Sequence, residues 1–264
     1  LDDAGTAIDQ IDEIIVASDT PEAYCPDTAA FLQDRLGARM VPAFDLGGSG
    51  CAGFLLALDV ARARMLQQDK RILVVGVELL SRMMSWKDRN TCVLFGDAGG
   101  AVVMGRGERP IEILAATAGT DGSQAEILWL ENGGSRYPFS AESAAREDHQ
   151  RLVMKGREVF REAVGHMGNA AHEVLRQAGM SIDDVALVVP HQANRRIIDA
   201  VGRSLGVESE RVFVNVHDYG NTGSASVPLA LWEARQQGRI EPGDVVLAAA
   251  FGAGFHWSAV LLRF

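Results

Sequence analysis

Cysteine is scarce in this sequence. Only Cys25, Cys51 and Cys92 occur in 264 residues, which excludes a disulfide framework and a paired-cysteine metal site and suits a reducing, cytoplasmic setting. The six histidines form no H-E-x-x-H pattern. His172-Glu173 is followed by Arg176 where that motif needs a second histidine, so no metal site is expected. Positive charge is also short: 25 Lys and Arg face 35 Asp and Glu, a net charge of −10, which disfavours nucleic-acid partners. No apolar run is long and charge-free enough to cross a bilayer, so no membrane contact is expected. Leu1 opens the sequence with no methionine and with no basic region and apolar core of a signal peptide. What remains is 47% hydrophobic and 23% charged, with 28 glycines, the profile of an α/β enzyme with glycine-rich turns.

The stretch Val41–Arg62 organises the rest. A short apolar run ends at Leu46, Gly47-Gly48-Ser49-Gly50 turns the chain, and Cys51 opens a helix expected to run to about Gln68. Phe54, Leu55, Leu58 and Met65 then recur at helical spacing. A thiol at a helix start meets unsatisfied N–H groups and the positive end of the helix dipole, both of which favour a thiolate. Two other readings fit the same residues. Gly48, Gly50 and Gly53 match G-x-G-x-x-G, with Glu78 closing the next strand, as in a dinucleotide-binding turn. An ordinary tight turn with a buried cysteine fits as well.

Apolar runs and turn residues predict strands at Ile11–Ala17, into Leu46, at Arg71–Val77, Ala101–Met104, Ile111–Thr117, Ala186–Pro190, Val212–Val216, Asp244–Ala250 and Phe255–Leu262. Helices are predicted at Thr28–Leu36, from Cys51, at Arg157–Gln177, Asn194–Leu205 and Ala225–Gln237. Gly119–Gln150 reads as an irregular surface insertion. Alternating strands and helices predict mainly parallel sheets with both faces covered. There is also an internal repeat. Leu56-Ala-Leu58 with Ala61-Arg62 matches Leu229-Ala-Leu231 with Ala234-Arg235, and the same offset lays Ile72–Val77 on Val245–Ala250 and Cys51 on Ser224. Two copies of one βα unit are expected.

Two further segments place reactive groups at strand-to-helix corners. Val188-Val-Pro-His191-Gln-Ala-Asn194 sets an imidazole past a buried strand, and Tyr219-Gly-Asn221-Thr-Gly sets a carboxamide in a glycine-flanked turn. A thiol, an imidazole and an amide so presented suit a nucleophile, a base and a hydrogen-bond donor.

Gly50-Cys51-Ala-Gly53, Phe95-Gly-Asp97, Pro190-His191-Gln-Ala-Asn194, Gly220-Asn221-Thr222 and Ala250-Phe251-Gly-Ala-Gly254-Phe255 together resemble the β-ketoacyl-acyl-carrier-protein synthase III family of the thiolase superfamily. The resemblance implies a thiolase-like, duplicated α-β-α-β-α layered fold. Its N-terminal half would be residues 1–108, carrying Cys51, and its C-terminal half residues 109–264, carrying His191 and Asn221. Relatives have a first strand and helices ahead of the position of Leu1, so that half is expected to be incomplete. The implied reaction moves an acyl group from acyl-CoA to Cys51, then condenses it by decarboxylation with malonyl-acyl carrier protein. His191 and Asn221 would stabilise the enolate, and the backbone N–H groups of Cys51 and Ala253 would form the oxyanion hole.

The same resemblance implies CoA and pantetheine contacts at Arg89 and Asn194 and carrier-protein docking at Arg195 and Arg196. Cys25 and Phe95 would lie at the acyl pocket and dimer gate. A homodimer is implied, with CoA thioesters as substrates and no tightly bound cofactor. Three departures stand out. Ala253 takes the place of a usual glycine, Gly47-Gly48-Ser49 is looser than the usual small apolar run, and Cys25 stands where bacterial relatives often have phenylalanine. From the last of these, starters longer than acetyl are expected. Alternatives within the family are a starter enzyme of a polyketide or other secondary pathway, an acyltransferase that does not decarboxylate, and a catalytically silent partner subunit.

Overall fold

Two mixed four-stranded sheets, each built from a separate part of the chain, dominate the computed structural model, which describes residues 1–105, 111–145 and 152–264. The first sheet holds β1 (Glu13–Ala17), β2 (Ala43–Leu46), β3 (Ile72–Leu79) and β4 (Asp97–Met104) in the order β2-β1-β3-β4. β2, β1 and β3 run parallel and β4 runs antiparallel to β3. The second sheet holds β5 (Glu112–Thr120), β8 (Leu187–Pro190), β9 (Val245–Gly252) and β10 (His256–Arg263) in the order β5-β10-β9-β8. Here β8 and β9 are parallel, and β10 is antiparallel to both of its neighbours. The sheets are therefore mixed, where alternation alone suggested mainly parallel ones.

Helices α2 (Gly53–Met65) and α7 (Ser226–Gln236) form a central layer between the sheets. Phe54, Leu55 and Leu58 of α2 and Val227, Ala230 and Leu231 of α7 share one buried cluster with residues of β1, β3, β8, β9 and β10. Each such side chain contributes on the order of 1.5–3 kcal/mol relative to exposure. One outer layer is α1 (Thr28–Arg35), whose Ala29 and Leu32 pack on Ile14, Val16 and Leu73. The other is α4 (Gly156–Ala178) with α5 (Arg195–Ser204). Val159, Ala163, Met167, Ala170 and Val174 make a helical-period stripe that packs on β5, β9 and β10, and Gly179, at φ 65°, ends α4 in the left-handed conformation. The layers run helix, sheet, helix, sheet, helix. β9 is buried at every residue because helices cover both its faces, and Ala248-Ala-Ala250 gives them room to approach.

The repeat is structural. The tight turns Gly50–Ala52 and Gly223–Ala225 precede α2 and α7, and β3 and β9 follow at matching positions. Gly50 and Gly223 adopt φ of 55° and 56°, a left-handed turn that favours glycine at both places.

Three expectations need correction. Val212–Val216 is not a strand: only Val212 bridges to Val188, and Val216–Tyr219 forms the short helix α6. The cause is tertiary, since Gln192 Oε1 accepts the Asn215 N–H at 2.9 Å and Asn215 Nδ2 donates to Glu233 Oε2 at 2.8 Å, which draws the chain away from the sheet. β4 and β5 are longer than expected, because pairing with β3 and β10 extends them through glycine-containing ends. The insertion is also more ordered than expected. β6 (Leu128–Leu130) pairs antiparallel with β7 (Leu152–Met154), and α3 (Ala141–Ala145) is a short helix. The link read at residues 105–110 and the end of that insertion, residues 146–150, fall mostly or wholly outside the described residues.

Candidate active site

One cavity of about 1500 Å³ lies at the C-terminal ends of β1, β2, β3 and β8, and Cys51, His191 and Asn221 all line it. Each arrives by a different local route. Cys51 sits in the turn between β2 and α2. Gly50 and Gly252 are required there by close approach. A Cβ on Gly50 would stand 2.5 Å from the Ala253 nitrogen, and one on Gly252 would stand 2.4 Å from the Cys51 nitrogen. The two backbone N–H groups expected to form an oxyanion hole thus belong to turns in direct contact, and Ala253 lines the cavity with its own Cβ.

His191 follows β8, with its N–H donating to the Ala249 carbonyl at 2.7 Å. Its Nδ1 lies 2.6 Å from the Ser226 hydroxyl, which leaves Nε2 as the nitrogen available to the cavity. Burial pushes the imidazole pKa down to about 3, so the ring is neutral at physiological pH. Buried Gln192 donates to the Pro190 and Phe213 carbonyls and holds this corner rigid.

Asn221 is held by the segment that carries Phe95. Its N–H donates to Leu94 O at 2.8 Å, and Gly96 N–H donates to Asn221 O at 2.9 Å. A Cβ on Gly96 would meet Tyr219 O at 2.0 Å, so only glycine fits in the Phe95-Gly-Asp97 motif. The side-chain Oδ1 accepts the Gly223 N–H at 2.9 Å and the Cys51 thiol at 3.9 Å. That fixes the amide with its NH2 free to donate. Asp97 is occupied structurally, accepting the Ser81 N–H and hydroxyl at 2.8 Å and 2.6 Å.

The thiol's electrostatics differ from the helix-start argument. Burial first, then the carboxylates of Glu78 and Asp19, raise the Cys51 pKa above its ordinary value. The thiol is the resting form, because desolvation and two nearby negative charges outweigh the helix end. Glu78 is 1% exposed. The dinucleotide reading fails on the same residue: Glu78 is bound by Ser224, Thr20 and Asp19 rather than free for a ribose. Gly50 of the glycine turn packs directly on the Gly252-Ala253 backbone.

The remaining expected residues separate into two groups. Phe95, Asn194, Arg195 and Arg196 line the cavity. Asn194 caps α5, its Oδ1 accepting the Ile197 N–H at 3.0 Å. Arg195 pairs with Asp199 at 2.8 Å, and both arginines are exposed at the rim. Arg89 and Cys25 are exposed and are not among the lining residues, although Tyr24 and Asp27, close to Cys25, are. Among the described residues no group of histidines, cysteines and carboxylates is arranged to hold a metal ion, and no helix is long and apolar enough to cross a membrane. Sequence reasoning passed over Ser226, Asp19, Thr20 and the tie between Glu78 and Ser224. The repeat, which set Ser224 against Cys51, was the one signal that pointed there.

Comparison with known proteins agrees with this geometry. The family profile of 3-Oxoacyl-[acyl-carrier-protein (ACP)] synthase III matches residues 44–122, and the profile of that family's C-terminal part matches residues 175–264. A protein named beta-ketoacyl-[acyl-carrier-protein] synthase III from Oleidesulfovibrio alaskensis is 42% identical over all of this chain and 80% of its own length. The crystal structure of 3-oxoacyl-[acyl-carrier-protein] synthase III from Aquifex aeolicus VF5 superposes with a TM-score of 0.90 at 43% identity, over 100% of this chain and 80% of that one. The priming β-ketosynthase of the R1128 polyketide pathway superposes with a TM-score of 0.87 at 34% identity, over 100% and 78%. With two family profiles, these identities and the layered fold in agreement, the chain belongs to the β-ketoacyl-[acyl-carrier-protein] synthase III family, the thiolase-fold condensing acyltransferases that initiate fatty-acid synthesis.

Proposed function

We propose that Cys51 takes an acyl group from an acyl-CoA and that His191 and Asn221 direct its condensation with a malonyl thioester. The reading rests on one observation: the three groups, far apart in sequence, line a single cavity. In the first step the Cys51 sulfur attacks the thioester carbonyl, the C–S bond to CoA breaks, and the thiol proton leaves with the CoA sulfur. The tetrahedral oxyanion accepts hydrogen bonds from the N–H groups of Cys51 and Ala253, donors fixed before charge develops.

In the second step the malonyl thioester loses carbon dioxide, and the bonding pair becomes an enolate. With Ser226 donating to Nδ1, His191 carries its proton on Nε2, and this N–H and the Asn221 NH2 both aim at the enolate oxygen. A neutral imidazole suits this work, because it donates without a prior protonation. The carbanion then attacks the Cys51 thioester, the bond to sulfur breaks to release a 3-oxoacyl thioester, and the Cys51 thiolate takes a proton from solvent to restore the thiol.

On this reading Asn194 and Arg89 contact pantetheine and CoA, and Arg195 and Arg196 receive an acidic carrier protein. Phe95 and the loop of Cys25 border the acyl pocket and a homodimer contact. The halves 1–108 and 109–264 each supply part of the site, and the enzyme works in the cytoplasm without a bound cofactor. Leu80, Met83, Met84 and Leu94 add apolar wall, which favours starters longer than acetyl. The likeness to a polyketide priming synthase supports a second reading, starter selection for a secondary pathway. Intact-protein mass spectrometry after exposure to acyl-CoAs of graded length tests both. An adduct on Cys51 that hydroxylamine removes is expected, absent in Cys51→Ala. No adduct with any acyl-CoA would overturn the assignment, and strong preference for acetyl-CoA would overturn the longer starter.

A further inference from the structure

Beneath the site lie two carboxylates that the reaction above does not use. Glu78 ends β3, buried. Its Oε2 accepts the Thr20 hydroxyl at 2.8 Å, and both its oxygens lie 3.2 Å from the Asp19 N–H. The Ser224 hydroxyl lies 2.9 Å from Glu78 Oε1 and 2.9 Å from the Ala17 carbonyl. Glu78 also fills the space under the asparagine turn, since a Cβ on Gly223 would stand 2.7 Å from its Cγ. Asp19, beside it, accepts the Gly48 N–H at 2.7 Å and is further bonded by the Gly50 N–H. Those two glycines flank the turn that presents Cys51. One carboxylate thus holds the nucleophile's turn, the other holds the turn of Asn221, and the backbone of Asp19 joins them.

We propose that Glu78, supported by Asp19, is a positioning residue that ties the Cys51 turn to the Asn221 turn and whose charge controls how readily the Cys51 thiol ionises. This rests on Cys51 being the nucleophile. The titratable groups facing the pair are each other, Cys51 from the turn before α2, and His256 at the start of β10, which acts on Asp19. The Ser224 hydroxyl has one proton for two acceptors, so a protonated Glu78 donates to Ser224 while Ser224 donates to Ala17. An ionised Glu78 instead accepts the hydrogen bond from the Ser224 hydroxyl. Both states are bonded, so the tie survives a change of charge. Burial, then the Asp19 charge, raises Glu78 to about 7, which puts that change near neutral pH. Once ionised, Glu78 opposes the negative charge forming on Cys51, which moves the thiol's ionisation to higher pH.

The test is the pH dependence of Cys51 alkylation by iodoacetamide, followed by intact mass, in the wild type and in Glu78→Gln, which keeps the shape and removes the charge. The expected result is a midpoint lower by about one pH unit in the variant, as removal of a nearby like charge produces. Asp19→Asn is expected to shift the midpoint the same way and serves if Glu78→Gln does not fold. Profiles that superimpose on wild type in the folded variants would overturn the proposal. An acyl-CoA adduct assay on the same wild-type sample separates this failure from failure of the nucleophile assignment: an adduct with superimposed profiles sinks only Glu78, and no adduct sinks Cys51.

Discussion

The two copies of the βα unit have nearly the same backbone and opposite chemistry. In the first, the residue after the left-handed glycine is Cys51, and its side chain lines the cavity. In the second it is Ser224, buried and spent on Ala17 and Glu78. The connections beyond the central strands differ too. After β3 the chain runs from Leu80 to Gly96 before β4, long enough to bring Leu94 and Gly96 onto Asn221. After β9 only Ala253-Gly-Phe255 intervenes, and Ala253 and Gly254 of this short turn line the cavity. A duplicated scaffold therefore becomes one site because one copy supplies the thiol and the other supplies the groups around it. Turn geometry alone does not make a nucleophile; access to the cavity does.

The largest effect should come from moving the thiol between copies. Cys51→Ala is expected to remove the acyl adduct entirely, and adding Ser224→Cys is expected not to restore it, because that position has no opening to the cavity. Thioester formation at residue 224, located by peptide mass mapping, would break the comparison. Next come the glycines. Gly50→Ala puts a Cβ 2.5 Å from the Ala253 nitrogen at a φ of 55°, with an expected cost of about 2 kcal/mol or more in chemical denaturation. In the second copy Gly223→Ala meets the Glu78 side chain instead of backbone, so its loss should be smaller.

The copies also contribute opposite pH dependences. Glu78 has a folded pKa raised from 4.5 to about 7. Its contribution is greatest below 4.5 and is lost as pH climbs to 7. His191 has a folded pKa lowered from 6.5 to about 3. Its contribution is full above 6.5 and is lost as pH falls toward 3. In full they amount to roughly 3 kcal/mol for Glu78 and roughly 5 kcal/mol for His191, and between pH 4.5 and 6.5 they offset each other. Relative to wild type, thermal melting of His191→Asn should lose stability as pH is raised through that interval, and Glu78→Gln should gain it. Parallel curves for all three proteins would show that neither group titrates as described.

The smallest effect concerns the sheet edges. β10 is paired on both sides, by β5 and β9. β4, its counterpart, is paired only with β3 among the described residues. Amides of β4 that face away from β3 should exchange with deuterium faster than any in β10, and equal protection would mean that the edge is covered.

Much of this was readable in the sequence because it is local. The repeat survives as an unbroken helix-turn-strand match, and Cys51, His191 and Asn221 each stand at a corner marked by glycine, proline or the end of an apolar run. The partners of those groups were not readable. Ser226, Asp19 and Glu78 meet their targets only across the packed sheets, at separations of 35 residues for His191 with Ser226 and 146 for Glu78 with Ser224. Val212–Val216 misled for a related reason. Its β-branched residues favour a strand, but hydrogen bonds that Asn215 donates to Gln192 and Glu233, both remote in sequence, fold it otherwise. The ionisation of Cys51 was misjudged in the same way, since the helix start is visible in sequence and the carboxylates under it are not.

The most direct test of the central claim, that an imidazole and an amide act together on the second substrate while the thiol acts on the first, separates the half-reactions. His191→Ala and Asn221→Ala are charged with acyl-CoA, and carbon dioxide release from a malonyl thioester is then measured beside the Cys51 adduct. The account predicts that the adduct persists while decarboxylation falls by roughly a hundredfold or more, the loss typical of a removed oxyanion donor. Undiminished carbon dioxide release from either variant would contradict it.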